Sequence, residues 1–115
     1  MDFNENKPIY KQIVDLCYAR IVSDVWHVDG RVPSIKELSV ELAVNNRTVL
    51  KAFEELQAQG IIYSKRGLGY YVSPDAPALI LEARRAEFFR ETLPDFRDRM
   101  RLLQLTLDDI APYLS

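Results

Sequence analysis

The residues with the greatest chemical reach lie in the middle of the chain: Ser34, Lys36, Asn45, Asn46, Arg47, Thr48 and Lys51, then Lys65, Arg66, Gly67 and Gly69. Arginine and lysine can contact guanine edges or phosphates, and asparagine can pair with adenine. Serine and threonine beside free amides at a helix start can anchor a phosphate. Two glycines next to Lys65 and Arg66 let a turn approach another surface closely, as a positive tip in a minor groove would. Together these positions form a candidate interface for double-stranded DNA. Each also has a plainer reading: Ser34 and Asn45 cap helices with or without DNA, Lys51 beside Glu54 and Glu55 suits a solvated charged face, and the glycine tip suits a simple turn. The joint placement on one scaffold favours DNA.

Catalytic chemistry has no comparable support. The one histidine, His27, stands beside Trp26 with no cysteine or acid pair at metal-ligand spacing. The one cysteine, Cys17, falls on an apolar helix stripe, as a buried inert thiol does. Gly67-Leu68-Gly69 lies between two β-rich segments with no helix start after it, unlike a phosphate-binding loop. No catalytic residue, no metal and no cofactor are expected.

The elements that must hold the basic set follow from periodicity. Pro8 opens a helix in which Ile9, Ile13, Cys17 and Ile21 recur every fourth residue, widened by Leu16 and Val25, and Asp29-Gly30 ends it. Ser34 and Glu37 form a capping box for a short second helix with Ile35, Leu38 and Leu42 inward. After Ala43-Val44, Asn45 caps a third helix whose inward side is Val49, Ala52, Phe53 and Leu56. Its opposite side carries Arg47, Leu50, Lys51 and Glu54, with Asn46 and Thr48 flanking them. Two short helices at a tight turn, the second with a basic start, suit a helix-turn-helix. Gly60 closes the third helix, and residues 61–65 and 70–73 predict a hairpin. Beyond Pro74 and Pro77 a helical tract begins, which Pro94 should bend or divide. Thr106 caps a last short helix.

Of 115 residues, 48% are apolar and 28% charged, the balance of a chain that buries a real core. The net charge of −2 hides a segregation: residues 30–72 hold six Lys/Arg against four Asp/Glu, whereas 1–29 hold three against five and 73–115 six against eight. A lone cysteine excludes an internal disulfide and fits a reducing cytoplasm. No apolar run approaches the roughly 18 to 20 residues of a membrane span, and the Met1–Asn6 start lacks the basic and apolar regions of a signal peptide. No membrane partner is expected.

Three linked stretches, Gly30-Arg31-Val32-Pro33-Ser34-Ile35-Lys36-Glu37-Leu38, Val44-Asn45-Asn46-Arg47-Thr48-Val49, and Gly60-Ile61-Ile62 with Arg66-Gly67-Leu68-Gly69-Tyr70-Tyr71-Val72, resemble the GntR family of bacterial transcription regulators. The opening Pro8-Ile9-Tyr10-Lys11-Gln12-Ile13 and a short C-terminal tract resemble its YtrA-like subgroup. The resemblance implies a mainly α fold with a small β-hairpin: a winged helix-turn-helix over residues 8–73, followed by a C-terminal helical dimerisation segment. It implies a homodimer on an inverted-repeat operator, commonly as a repressor. Family DNA contacts map onto Ser34, Lys36, Asn46, Arg47, Thr48 and Gly67 to Gly69. The chain departs from the family with Lys36 in place of Arg, Asn46 in place of Pro or Arg, Asp29-Gly30 in reversed order, and Gln104 where Gly is frequent.

Dimerisation also has support in the residues themselves. Leu81, Phe88, Phe89, Phe96, Met100, Leu103, Leu107 and Ile110 make more apolar surface than a small monomer readily covers. Folding back onto helix 1 of the same chain is the alternative. A two-fold dimer would place two recognition helices about one DNA turn apart and predicts a palindromic site. The expected division is residues 1–73 for DNA binding and 74–115 for dimerisation. The tail leaves little room for an enclosed effector pocket, and no residue cluster identifies a small-molecule effector. The leading reading is a cytoplasmic DNA-binding regulator. A protein-interaction module and a non-specific chromosome binder are the alternatives.

Overall fold

A computed structural model describes residues 6–115. Met1–Glu5, most of the stretch read for a signal peptide, lie outside the described residues. The helices are α1 Ile9–Val22, α2 Ile35–Leu42, α3 Asn46–Ala58, α4 Ala76–Glu87, α5 Leu93–Leu102 and α6 Leu107–Ile110, with a hairpin of β1 Ile62–Lys65 and β2 Gly69–Val72 after α3. Contacts group the chain into two units, one extending to Leu81 and the other running from Glu82 to Ser115. The first unit continues past residue 73 because Ala76 and Ile80 of α4 are buried.

In the first unit α1, α2 and α3 converge on Ile13, Cys17, Leu38, Val49, Phe53 and Leu56, all shut off from solvent. The register Ile62↔Val72, Tyr63↔Tyr71, Ser64↔Tyr70, Lys65↔Gly69 turns Ile62 and Val72 into this core. The Tyr70 ring meets Phe53 edge-on at 5.0 Å. A single bridge from Arg31 to Tyr71 lines the far side of β2, with Val32 N–H donating to the Tyr70 carbonyl at 2.8 Å. This extra pairing ties the segment before α2 to the hairpin and is too short to leave a periodic signal.

The expected end of α1 at Asp29-Gly30 is corrected to Val22. Asp24 adopts a left-handed conformation at φ +62°, and the amides of Val25 and Trp26 both donate to the Arg20 carbonyl. Val25 is therefore 63% exposed rather than part of the stripe, and Ile9 at the other end is 45% exposed. The same closure recurs down the chain. Val44 N–H bonds Ser39 O around Ala43, Ile61 N–H bonds Leu56 O around Gly60, and Leu105 N–H bonds Met100 O around Gln104. Each pivot has positive φ, between +55° and +76°, as a Schellman closure requires. Only Gly60 announces its closure in sequence. Asp29, where the family order puts glycine, is also left-handed at φ +60°, a conformation aspartate tolerates better than most residues.

In the second unit Pro94 neither breaks nor separates the helical tract. A π-helical turn at Phe88–Thr92 joins α4 to α5, and Leu93 N–H donates five residues back to Phe88 O. Widening the turn accommodates a proline that has no N–H and whose ring would crowd the preceding turn. Thr106 and Asp109 form a capping box for α6. None of the residues from Phe88 to Tyr113 is buried.

Replacing a non-glycine pivot should stabilise the protein. A left-handed L-residue costs roughly 1–2 kcal/mol and glycine loses about 0.5–1 kcal/mol more entropy on folding, so Ala43→Gly is expected to gain up to about 1 kcal/mol in urea unfolding. Gly60→Ala, at φ +76°, should lose a comparable amount.

Candidate nucleic-acid interface

The α2 start is built as its sequence requires. Ser34 Oγ accepts from Glu37 N–H at 3.0 Å, and Glu37 Oε1 accepts from Ser34 N–H at 3.2 Å. These bonds from the Ser34 backbone and hydroxyl hold the Glu37 carboxyl below its ordinary pKa, so the box stays closed at neutral pH. Lys36, two positions after Ser34, is exposed.

Asn45 Oδ1 caps α3 by accepting from Arg47 N–H at 2.8 Å. Val49, Ala52, Phe53 and Leu56 pin the inner face, which leaves Asn46, Arg47 and Lys51 exposed and Thr48 half-buried. Arg47, Thr48 and Lys51 line an open cleft of about 370 Å³ together with Ile9 and Tyr10 from the first turn of α1. The ion pair between Lys11 and Glu55, 2.7 Å, links α1 and α3 beside it.

At the hairpin, Leu68 N–H donates to Lys65 O at 2.9 Å, closing a turn over Lys65, Arg66 and Gly67. Gly67 has φ +77° and nothing within 4 Å of where a Cβ would stand. The glycine thus permits the turn and leaves space for an incoming surface. Gly69, at φ +98°, is different: a Cβ there would stand 3.4 Å from Arg31 Nε. Arg31 in turn approaches Glu37 at 3.8 Å, connecting the α2 start to the wing root.

The predicted residues therefore fall into three groups: Ser34 and Lys36 at α2, Asn45 to Thr48 with Lys51 at α3, and Lys65 to Gly69 at the wing, all exposed except the half-buried Ser34, Thr48 and Gly69. Tyr10 and Arg31 stand against these groups without belonging to the set that residue type and spacing single out. Arg31 was visible in the charge count, whereas the place of Tyr10 against α3 depends on tertiary packing.

The remaining reactive groups stand elsewhere. His27 Nδ1 lies 2.9 Å from Asp24 Oδ1, with both side chains largely exposed. Cys17 is fully buried, and desolvation pushes its thiol up to about 12. Among the described residues no three acidic, histidine or cysteine side chains converge to hold a metal ion, and no helix is long and apolar enough to cross a membrane.

The profile of the family described as bacterial regulatory proteins, gntR family, covers residues 9–72. The uncharacterised HTH-type transcriptional regulator YhcF of Bacillus subtilis is 30% identical over 94% of this chain and 88% of its own length. The HTH-type transcriptional repressor YtrA of the same organism is 32% identical over 73% of this chain and 65% of its own. Among solved structures, a GntR-family transcriptional regulator from Bacteroides thetaiotaomicron superposes with a TM-score of 0.78 at 33% identity, covering 91% of both chains. The AraR DNA-binding domain in complex with operator ORR3 superposes at 0.57 and 29% identity, covering 64% of this chain and 86% of that one.

The buried thiol makes a testable statement. Cys17 should resist a thiol reagent in the native protein at pH 8 and react on unfolding. Its pKa is raised by folding, so its contribution to stability is complete below the unfolded value near 9.0 and is lost as pH climbs from there towards about 12. Urea midpoints measured across that window should fall less steeply for Cys17→Ala, which has no thiol to ionise, than for the wild type.

Proposed function

The chain belongs to the GntR family of bacterial regulatory proteins, and on that premise we propose that it is a cytoplasmic repressor that binds an inverted-repeat operator as a homodimer. Family members are transcription regulators, not enzymes. In this reading residues 1–73 bind DNA and residues 74–115 pair two copies. The start of α3 enters the major groove, where Arg47 and Lys51 meet guanine edges or phosphates and Asn46 meets adenine. Ser34, Lys36, Asn45 and Thr48 hold the backbone, and Lys65, Arg66, Gly67 and Gly69 carry the wing into the minor groove.

The observation that carries this reading is the exposure of one polar and basic set, held outward by a helix whose other face is sealed in the core. The AraR structure supports it, being a similar fold on operator DNA, and the name of YtrA supports repression. Dimerisation is supported by the apolar surface of the tail. Leu81, Phe88, Phe89, Phe96, Leu103 and Leu107 are all at least 40% exposed, and Met100 and Ile110 are half-buried. Phe96, Met100 and Leu107 also line an apolar cleft of about 360 Å³. Apolar surface on this scale is what a subunit contact covers.

Selection from a random duplex library should enrich an inverted repeat, with affinity that falls steeply as salt rises. A library without an enriched repeat would defeat the reading. Arg47→Ala should weaken binding by about 1–3 kcal/mol and relax specificity at one position of each half-site. In sedimentation, Phe89→Glu should shift the protein towards monomer and weaken operator binding together.

A further inference from the structure

Glu55 follows Lys51 by four residues on α3, a spacing at which a carboxylate and a lysine can pair. Here Glu55 Oε1 accepts instead from Lys11 Nζ of α1 at 2.7 Å. Lys51 lies over the ring of Tyr10, its Nζ 4.1 Å from the centroid, with Lys11 on the same ring at 5.5 Å. The wing repeats the arrangement with different elements. Lys65 Nζ stands 4.3 Å from the centroid of Tyr71 and 5.8 Å from that of Tyr63. Those two rings are cross-strand partners stacked at 5.8 Å and 26°. Both are anchored at their hydroxyls, Tyr71 donating to Leu68 O and Tyr63 to Asp29 Oδ1, each at 3.3 Å.

A carboxylate would hold a lysine but cancel its charge, which a phosphate then has to compete for. An aromatic face holds the ammonium through the ring quadrupole and leaves its full charge in place. A lysine restrained in this way has less rotamer freedom to lose on binding than one waving in solvent. We propose that Tyr10 and Tyr71 are positioning residues for DNA binding, each ring presenting one lysine, Lys51 on the recognition helix and Lys65 on the wing, to the duplex. The proposal rests on the operator-binding reading above and adds to it a role for two residues outside the contact set.

Double-mutant cycles on the selected operator test it. Tyr71→Leu and Tyr10→Leu should each weaken binding about two- to five-fold, the equivalent of one exposed cation–ring contact. Tyr10→Phe, which keeps the ring, should bind as the wild type, and Tyr71→Phe, which keeps the ring but loses the hydroxyl bond to Leu68 O, should bind better than Tyr71→Leu. The leucine penalty should vanish when Lys65→Met or Lys51→Met is already present. A penalty of unchanged size in the methionine background would mean that the ring supports the fold and not the lysine, and would overturn the proposal. So would leucine variants that bind normally while the methionine variants weaken. Methionine variants that both bind as the wild type would instead remove the two lysines from the operator contact, and the proposal with them. Proton NMR without DNA is an independent check: the Lys65 Hε signals should lie upfield under the Tyr71 ring and return to ordinary positions in Tyr71→Leu, and unshifted wild-type signals would also overturn it.

Discussion

The first unit depends on the burial of one helix face. Val49, Ala52, Phe53 and Leu56 of α3 have no solvent exposure, and fully burying a large apolar side chain stabilises by about 1.5–3 kcal/mol. Because 100° separates successive residues, sealing these four fixes where Arg47 and Lys51 project. The same Phe53 ring receives Tyr70 edge-on, so the orientation of the wing is set against the helix it accompanies. α1 closes the arrangement from the other side, through Ile13 and Cys17 in the core and through Tyr18, whose hydroxyl donates to Gln59 Oε1 at 2.7 Å.

An acidic chain that addresses DNA must keep its own carboxylates away from its cations. Segregation along the sequence does part of this, since the middle third is net positive between negative flanks. Packing does the rest. Glu37 is occupied with the Ser34 cap and Glu55 with Lys11, so these two carboxylates are committed to holding the scaffold. Local field, not net charge, governs approach to a polyanion at separations near a Debye length of about 8–10 Å.

The tail obeys a different constraint. Its apolar residues are spread over α4, a π-turn, α5 and α6, and none from Phe88 onward is buried. Pro94 is absorbed by a widened turn rather than a break, so Phe88, Phe89 and Phe96 remain on one continuous helical tract.

Local rules were sufficient wherever one short stretch controlled its own backbone. The Ser34 capping box, the Asn45 and Thr106 caps, the inward face of α3 and the presence of a hairpin around Gly67 could be read from residue type and spacing; its register, which pairs Lys65 with Gly69, could not. In each case the interacting groups lie within a few residues of one another. The basic set was legible for the same reason, because amphipathic periodicity assigns the outer face once the inner face is known. Tertiary structure decided what depends on distant segments or on conformations that carry no residue signature. α1 ends at Val22 through a left-handed aspartate, and α2 and α5 close through a left-handed alanine and glutamine, where the glycine that normally marks such a closure is missing. The Arg31 bridge, the Lys11–Glu55 pair and the seating of Lys51 on Tyr10 each join residues far apart in the chain. Sequence spacing determines which side chains share a face; only packing determines what that face meets.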